Sequence, residues 1–331
     1  MTRQKPKNYA QQKISRPARE AYSTRRVEFT TPIDADPADA DRLSATLYLP
    51  DRPANPPVIV MAPGLGAWRT FGYPAYAERF AQAGYATLLF DFRYHNDSDG
   101  EPRSLVDIDA QIEDYEAAIA TAKRLDAVDG TQLVLWGYSL SGGHALSVAA
   151  DRFDVDAVIA MSPFTDGRNA LKRMLRQPKR AIGSIARGLR DRIGSIVGVH
   201  YHVPIVGDPG SSAVVTSPSI RREYLDLVDR ESSWSNETPA RIFLSIGRYR
   251  PIVTAEDINT PTLLLAGTDD EVIPADEIET AADAIDDSTL VRFPATHSSP
   301  LGEDFETSVG HQLTFLKSIF NTEALVNISD V

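Results

Sequence analysis

Leu133-Val134-Leu135-Trp136-Gly137-Tyr138-Ser139-Leu140-Ser141-Gly142-Gly143-His144 decides the fold of this chain. A short apolar run leads into a serine flanked by small residues, and a helical pattern follows. So tight a turn from strand to helix forces the serine into a strained backbone conformation. It lifts Oγ above the sheet and leaves the next N–H free to face an oxyanion. The positions two before and two after must be small, because their backbones pass within contact distance. Gly137 and Ser141 occupy them, so the pattern is G-x-S-x-S rather than G-x-S-x-G, with Gly142 and Gly143 behind it. Ser141 is therefore a rival nucleophile by sequence; it reads first as a small-residue substitution that leaves Ser139 as the attacking group.

Further buried strands flank this one. Val58-Ile59-Val60-Met61 and Ala86-Thr87-Leu88-Leu89-Phe90 are continuous runs that suit a parallel sheet covered on both faces, as do Ala157 to Met161, Thr262 to Ala266 and Leu290 to Phe293. Leu43, Ala45, Leu47 and Leu49 alternate as an antiparallel, half-exposed strand would, and Arg26 to Thr31 precedes them. Between the strands, Leu105, Ile108, Ile112, Tyr115, Ile119 and Ala122 form one helical stripe. A helix is predicted after Pro274, and a closing one carries Phe305, Val309, Leu313, Leu316 and Phe320. The expected fold class is α/β, a mostly parallel sheet with helices on both faces. The alternation breaks over 167–258, which reads as a helical cap inserted above the carboxyl ends of the strands, where ligands bind. The remaining divisions are a core over 25–166 and 259–322 and a flexible basic arm over 1–24.

Composition narrows the functional classes. In 331 residues, 42% are hydrophobic, 24% are charged and none is cysteine, which excludes disulfides, thiolate nucleophiles and cysteine metal sites. No apolar run is long enough to span a membrane, and the N-terminus lacks the apolar core of a signal peptide, so a cytoplasmic location is expected. Residues 1–26 and 165–200 each carry +7, which leaves −26 on the rest of a chain of net charge −12. The acidic body disfavours nucleic acid as a partner. The basic stretch from Arg168 to Arg192 reads as a solvated cap face; an anionic substrate, a carrier-bound thioester or a lipid surface is its alternative.

A serine hydroxyl needs a base to take its proton and an acid to hold that base in the right tautomer. Gly267-Thr268-Asp269-Asp270-Glu271-Val272-Ile273-Pro274 follows a buried strand, with Asp270 the expected acid and Asp269 its rival. His297, after the last strand and 27 residues beyond Asp270, is the expected base. The order serine, acid, histidine is the one this kind of sheet uses. Two backbone N–H groups, those of Leu65 in Ala62-Pro63-Gly64-Leu65-Gly66 and of Leu140, are the expected oxyanion donors. The glycine loop does not fit a dinucleotide, since Arg69 stands where G-x-G-x-x-G needs glycine. His200 and His202 lack a third metal ligand nearby. No cofactor and no metal are expected.

Four separated segments then carry a resemblance. They are Asp91-Phe92-Arg93 leading to Ser98-Asp99-Gly100-Glu101-Pro102-Arg103, the turn from Gly137 to His144, Ser162-Pro163-Phe164-Thr165-Asp166-Gly167, and Asn236-Glu237-Thr238-Pro239-Ala240-Arg241 leading to Tyr249-Arg250-Pro251. Over roughly residues 27 to 320 the chain resembles α/β-hydrolase-fold proteins of the polyketide transferase and thiohydrolase group. More distantly it is similar to X-prolyl dipeptidyl peptidases and dienelactone-type hydrolases. The resemblance implies Ser139 as nucleophile, Asp270 as acid and His297 as base. Relatives often have Gly at Ser141, an aromatic-glycine pair at His95-Asn96, and many hydrolases have histidine at Pro63. The expected function is a serine hydrolase that cleaves small-molecule carboxylic esters or thioesters through an acyl-enzyme on Ser139. Acyl transfer or peptide cleavage by the same triad, and a non-catalytic binding module, are its alternatives, and homo-oligomerisation is left open.

Overall fold

The computed structural model describes residues 21–32 and 40–320. Eight strands form one sheet: β1 (Tyr22–Thr31), β2 (Asp41–Pro50), β3 (Pro57–Ala62), β4 (Ala86–Phe90), β5 (Asp129–Tyr138), β6 (Ala157–Met161), β7 (Thr262–Gly267) and β8 (Ser288–Phe293). Their spatial order is β1-β2-β4-β3-β5-β6-β7-β8. β1 and β2 are antiparallel to their neighbours, and every pair from β4 to β8 is parallel. The fold is that of an α/β hydrolase.

Period-two alternation in the continuous apolar strands divides the core into two layers. Val58, Val60, Leu133 and Leu135 pack on one face with α2 (Ile108–Lys123), α3 (Leu140–Ala150) and α7 (Ala275–Ala284). Ile59, Met61, Val134 and Trp136 pack on the other with α1 (Tyr73–Gln82) and α8 (Phe305–Phe320). Each such fully buried side chain contributes ~1.5–3 kcal/mol. Trp136 also donates its indole N–H to Gln312 of α8 at 2.7 Å, satisfying a polar atom that burial would otherwise strand.

Between β6 and β7 the chain leaves the sheet for about a hundred residues. This insertion holds α4 (Gly167–Leu175), α5 (Pro178–Gly194), α6 (Ile220–Asp226) and two ladders of two-residue strands. It contributes nothing to the main sheet.

Three boundaries differ from the sequence reading. β1 begins at Tyr22, paired with Pro50, so the arm expected over 1–24 loses its last residues to the sheet; residues 1–20 lie outside the described residues. The stripe predicted from Leu105 starts as helix only at Ile108, because the Asp107 carboxylate accepts the Ala110 N–H and caps α2 there. Leu105 is buried ahead of it. The last described helix stops at Phe320, and residues 321 and 322 of the expected core lie outside the described residues.

Candidate active site

Ser139 stands between β5 and α3 at φ 56°, ψ −117°, a conformation that L residues adopt at a cost of roughly 1–3 kcal/mol. Hydrogen bonds hold it there: its N–H donates to Met161 O at 2.9 Å, and its carbonyl accepts from Phe164 N at 2.9 Å and Gly143 N at 3.2 Å. A Cβ on Gly137 would lie 2.0 Å from Ser141 O, so glycine is obligatory where the turn closes on itself. Ser141 is fully buried, and its hydroxyl is engaged. It accepts from Tyr138 N at 2.9 Å and lies 2.7 Å from Ala62 O, joining the ends of β5 and β3. That hydroxyl is a structural tie.

The acid and histidine loops leave adjacent parallel strands. Thr268 N donates to Phe293 O at 2.9 Å and Asp269 N to Ala295 O at 3.1 Å, which stitches one loop to the other. A Cβ on Gly267 would meet Ala295 O at 2.4 Å, so this approach too requires glycine. The Asp270 carboxylate is wholly shielded from solvent; one oxygen accepts Val272 N and Ile273 N, both at 2.8 Å, and the other faces His297 Nδ1 at 2.7 Å. A carboxylate accepts, so Nδ1 carries the proton and Nε2 is left to accept. Nε2 lies 3.0 Å from Ser139 Oγ. The rival Asp269 is exposed.

Among the described residues Leu65 N–H finds no hydrogen-bond acceptor, and Leu140, the first residue of α3, has an N–H with no intrahelical acceptor. The carbonyls beside Leu65 are occupied instead: Tyr224 Oη donates to Leu65 O at 2.8 Å, and Trp234 Nε1 to Gly66 O at 2.9 Å. Gly64 N–H donates to Tyr73 Oη at 2.9 Å. The loop is thus pinned through its other polar groups. The side chains of Leu65 and Leu140 share an apolar cluster with Val106, Phe164, Ile242 and Tyr249. A cleft of about 600 Å³ lies beside it, lined by Val106 and Tyr249 together with Arg192, Arg241 and Arg248.

The other histidines of the sequence reading lie in different settings. His144 is buried behind Ser139, with Nδ1 2.8 Å from Tyr249 Oη and Nε2 3.0 Å from Gln111 Oε1, and burial pushes its pKa down to about 3. His95 is buried with its pKa pushed down to about 4 for the same reason. His200 Nδ1 faces Arg241, which pairs with the buried Asp191.

The family described as serine aminopeptidase, S33, matches residues 54–298, a span that runs from the first parallel strand through His297. The chain belongs to this family. As a member of the serine aminopeptidase family it is a hydrolase-type enzyme by descent, and its relatives bear varied names. The quorum-quenching protein AidA of Acinetobacter baumannii is 39% identical over 280 residues, 84% of this chain and 91% of that protein. The thiohydrolase aneE of Aspergillus aculeatus is 25% identical over 312 residues, 88% of this chain and 92% of that one. The crystal structure of the α/β hydrolase GrgF from Penicillium sp. sh18 superposes with a TM-score of 0.76 at 24% identity, covering 90% of this chain and 99% of that one. That likeness speaks for the fold.

Within the family fold, two groups of residues near the site escaped the sequence reading. Tyr138 Oη donates to the His297 carbonyl at 2.7 Å, and burial pushes the phenol well above its usual pKa, so it remains a donor. Tyr224 and Trp234, which hold the Leu65 loop, come from the insertion, nearly 160 residues and more away. An aromatic residue adjacent to Ser139 was a signal for the first; nothing in sequence spacing marks the other two.

Proposed function

We propose that this protein is a serine hydrolase acting on carboxylic esters or thioesters. The observation that carries this reading is the unbroken chain from Ser139 Oγ to His297 Nε2 at 3.0 Å and from His297 Nδ1 to Asp270 at 2.7 Å. Ser139 Oγ attacks the substrate carbonyl while His297 takes its proton; Asp270 holds the imidazole and stabilises the charge it gains. Negative charge gathers on the former carbonyl oxygen, which the Leu65 and Leu140 N–H groups receive; each donor lowers the barrier by roughly 3–4 kcal/mol. When the tetrahedral adduct collapses, His297 returns the proton to the departing alcohol or thiol, and a water activated by the same imidazole releases the acid.

The apolar cluster that holds Leu65 and Leu140 together with Val106 and Ile242 supports an apolar acyl group as the part of the substrate set beside Ser139. The AidA relative is named a quorum-quenching protein, so quorum-sensing signal molecules that carry the ester carbonyl this chemistry needs are the first natural substrates to try.

Labelling with a fluorophosphonate probe tests the nucleophile. Wild type should label, Ser139→Ala should not, and its kcat on a nitrophenyl ester should fall by on the order of a millionfold. Folded wild-type protein that fails to label would overturn the reading. A panel of nitrophenyl esters, acyl-thioesters and aminoacyl anilides then separates esterase, thioesterase and peptidase, and an added acceptor alcohol reports acyl transfer.

A further inference from the structure

α5 is turned inside out. Its buried face is Ala181, Ser184, Gly188 and Asp191, all small or polar; Gly188 sits against Leu244 and Ala240 O, and Asp191 accepts from Arg241. Its solvent face carries Ile182, Ile185, Leu189 and Ile193, spaced three, four and four residues apart, so they form one stripe along the helix. Ile196 and Val197 extend the stripe past the helix end. Ile182 is 70% exposed, Ile193 66% and Ile196 80%, values at which isolated aliphatic side chains gain nothing from the fold. A contiguous exposed strip of this kind marks an interaction surface.

Charge decides the occupant. Lys179 and Arg190 lie along one edge of the stripe and Arg192 along the other, all exposed; α4 adds Arg168 and Lys172, and Arg176 follows it. The one acid on α5, Asp191, is buried against Arg241 and offers nothing outward. A second copy of the chain would meet this surface across a two-fold axis, cation facing cation, with no exposed acid on the helix to interleave. An anionic lipid surface satisfies both halves of the pattern, taking the aliphatic stripe into the acyl boundary and the cations among the headgroups. No helix among the described residues is long and apolar enough to cross a membrane, so the helix would lie in the interface plane.

We infer that α5, with the residues following it, is an interfacial helix that docks the protein on anionic phospholipid. Behind it, Gly188 packs against Leu244, and the neighbouring Ile242 belongs to the cluster around Leu140. The docked face is thus the outer side of the layer that packs on Leu140, the residue after Ser139. The docking itself does not depend on the chemistry at Ser139.

Co-sedimentation with vesicles tests this directly. Full-length protein should pellet with phosphatidylcholine vesicles containing one-third phosphatidylglycerol, much less with pure phosphatidylcholine, and less as salt rises. Ile182→Ser with Ile193→Ser should lower vesicle affinity at least about tenfold while leaving the thermal unfolding midpoint in place, since both side chains already lie in water. Lys179→Glu with Arg190→Glu should weaken binding to the anionic vesicles alone. Failure of the wild type to pellet at low salt would overturn the inference, as would undiminished binding by the serine variant. Elution as a dimer that the serine variant converts to monomer would assign the stripe to a second copy instead.

Discussion

Tyr138 Oη donates a 2.7 Å hydrogen bond to the main-chain carbonyl of His297, and the two rings lie 5.2 Å apart, so the neighbour of Ser139 holds the loop that carries His297. Tyr138→Phe would leave that carbonyl buried and unpaired. The expected loss is about 1–3 kcal/mol of stability in urea unfolding. The freed loop should also lower kcat on a nitrophenyl ester by roughly tenfold with little change in KM, because the hydroxyl touches the loop rather than the substrate. An unchanged kcat would show that the loop is held well enough by the acid loop alone.

Asp270 and Asp269 are adjacent, yet only one meets the imidazole, which makes the pair a sharp test of the acid. Asp270→Asn presents an N–H or a weaker acceptor to Nδ1 and should lower kcat by on the order of ten-thousandfold. Asp269→Asn, on an exposed side chain, should stay within about twofold of wild type. Equal losses from both substitutions would point to loop disruption instead of tautomer control.

The pins on the Leu65 loop act at a distance from the chemistry. Tyr224→Phe removes the donor to Leu65 O, and Trp234→Phe the donor to Gly66 O, while both keep most of the aromatic packing around Phe71. Each should reduce kcat by about five- to tenfold, and the double variant should lose less than the product of the two because they restrain one loop. Probe labelling of Ser139 should slow in parallel, a readout that a purely structural role would not move.

Ser141 separates the two serines of the turn. Ser141→Gly completes the G-x-S-x-G pattern and removes a buried hydroxyl together with its bond to Ala62 O. Tyr138 N loses a partner as well, so about 1–2 kcal/mol of stability should go. Probe labelling should persist, in contrast to Ser139→Ala. A Ser141→Gly protein that folds but does not label would reopen the choice of nucleophile.

The parts of this molecule that were legible from sequence are those in which a local pattern and its surroundings obey one rule. Continuous apolar runs mark strands buried on both faces, as at β3, β4, β6 and β7. Leu290 to Phe293 is different, because β8 is the edge strand and is only partly buried, yet the loop after it still brings His297 to the sheet edge that holds Ser139 and Asp270. Asp270 was the expected acid and Asp269 its rival, since both carboxylates follow the same strand; in the fold Asp270 is the one that faces His297 Nδ1, and Asp269 is exposed. The insertion was opaque for a different reason. Tyr224 and Trp234 reach the Leu65 loop across more than 150 residues, a distance that carries no periodic signal. α5 misleads outright: the rule that the apolar stripe faces inward puts Ile182 and Ile193 in the core, whereas the helix buries Ser184, Gly188 and Asp191. Its cations were legible, but their geometry beside an exposed stripe was not.

His144 makes stability depend on pH in a direction that can be worked out. Gln111 Oε1 accepts from Nε2–H, and Nδ1 accepts from the Tyr249 hydroxyl, so the ring is neutral, with both nitrogens satisfied. Protonation at Nδ1 would set two donors against each other in a buried site, in line with a pKa pushed from 6.5 down to about 3. In the unfolded chain the same imidazole takes up a proton below about pH 6.5. Between those values the unfolded state binds more protons, so stability falls as pH falls, by about 2 kcal/mol at pH 5 relative to pH 8 from this residue. His95, with a folded pKa of about 4, adds to the slope in the same direction. Urea unfolding at pH 8 and pH 5 should show this loss in the wild type. His144→Gln, less stable at pH 8, should show a pH difference smaller by about 2 kcal/mol. An equal pH difference in the two proteins would mean that His144 takes its proton without leaving the fold.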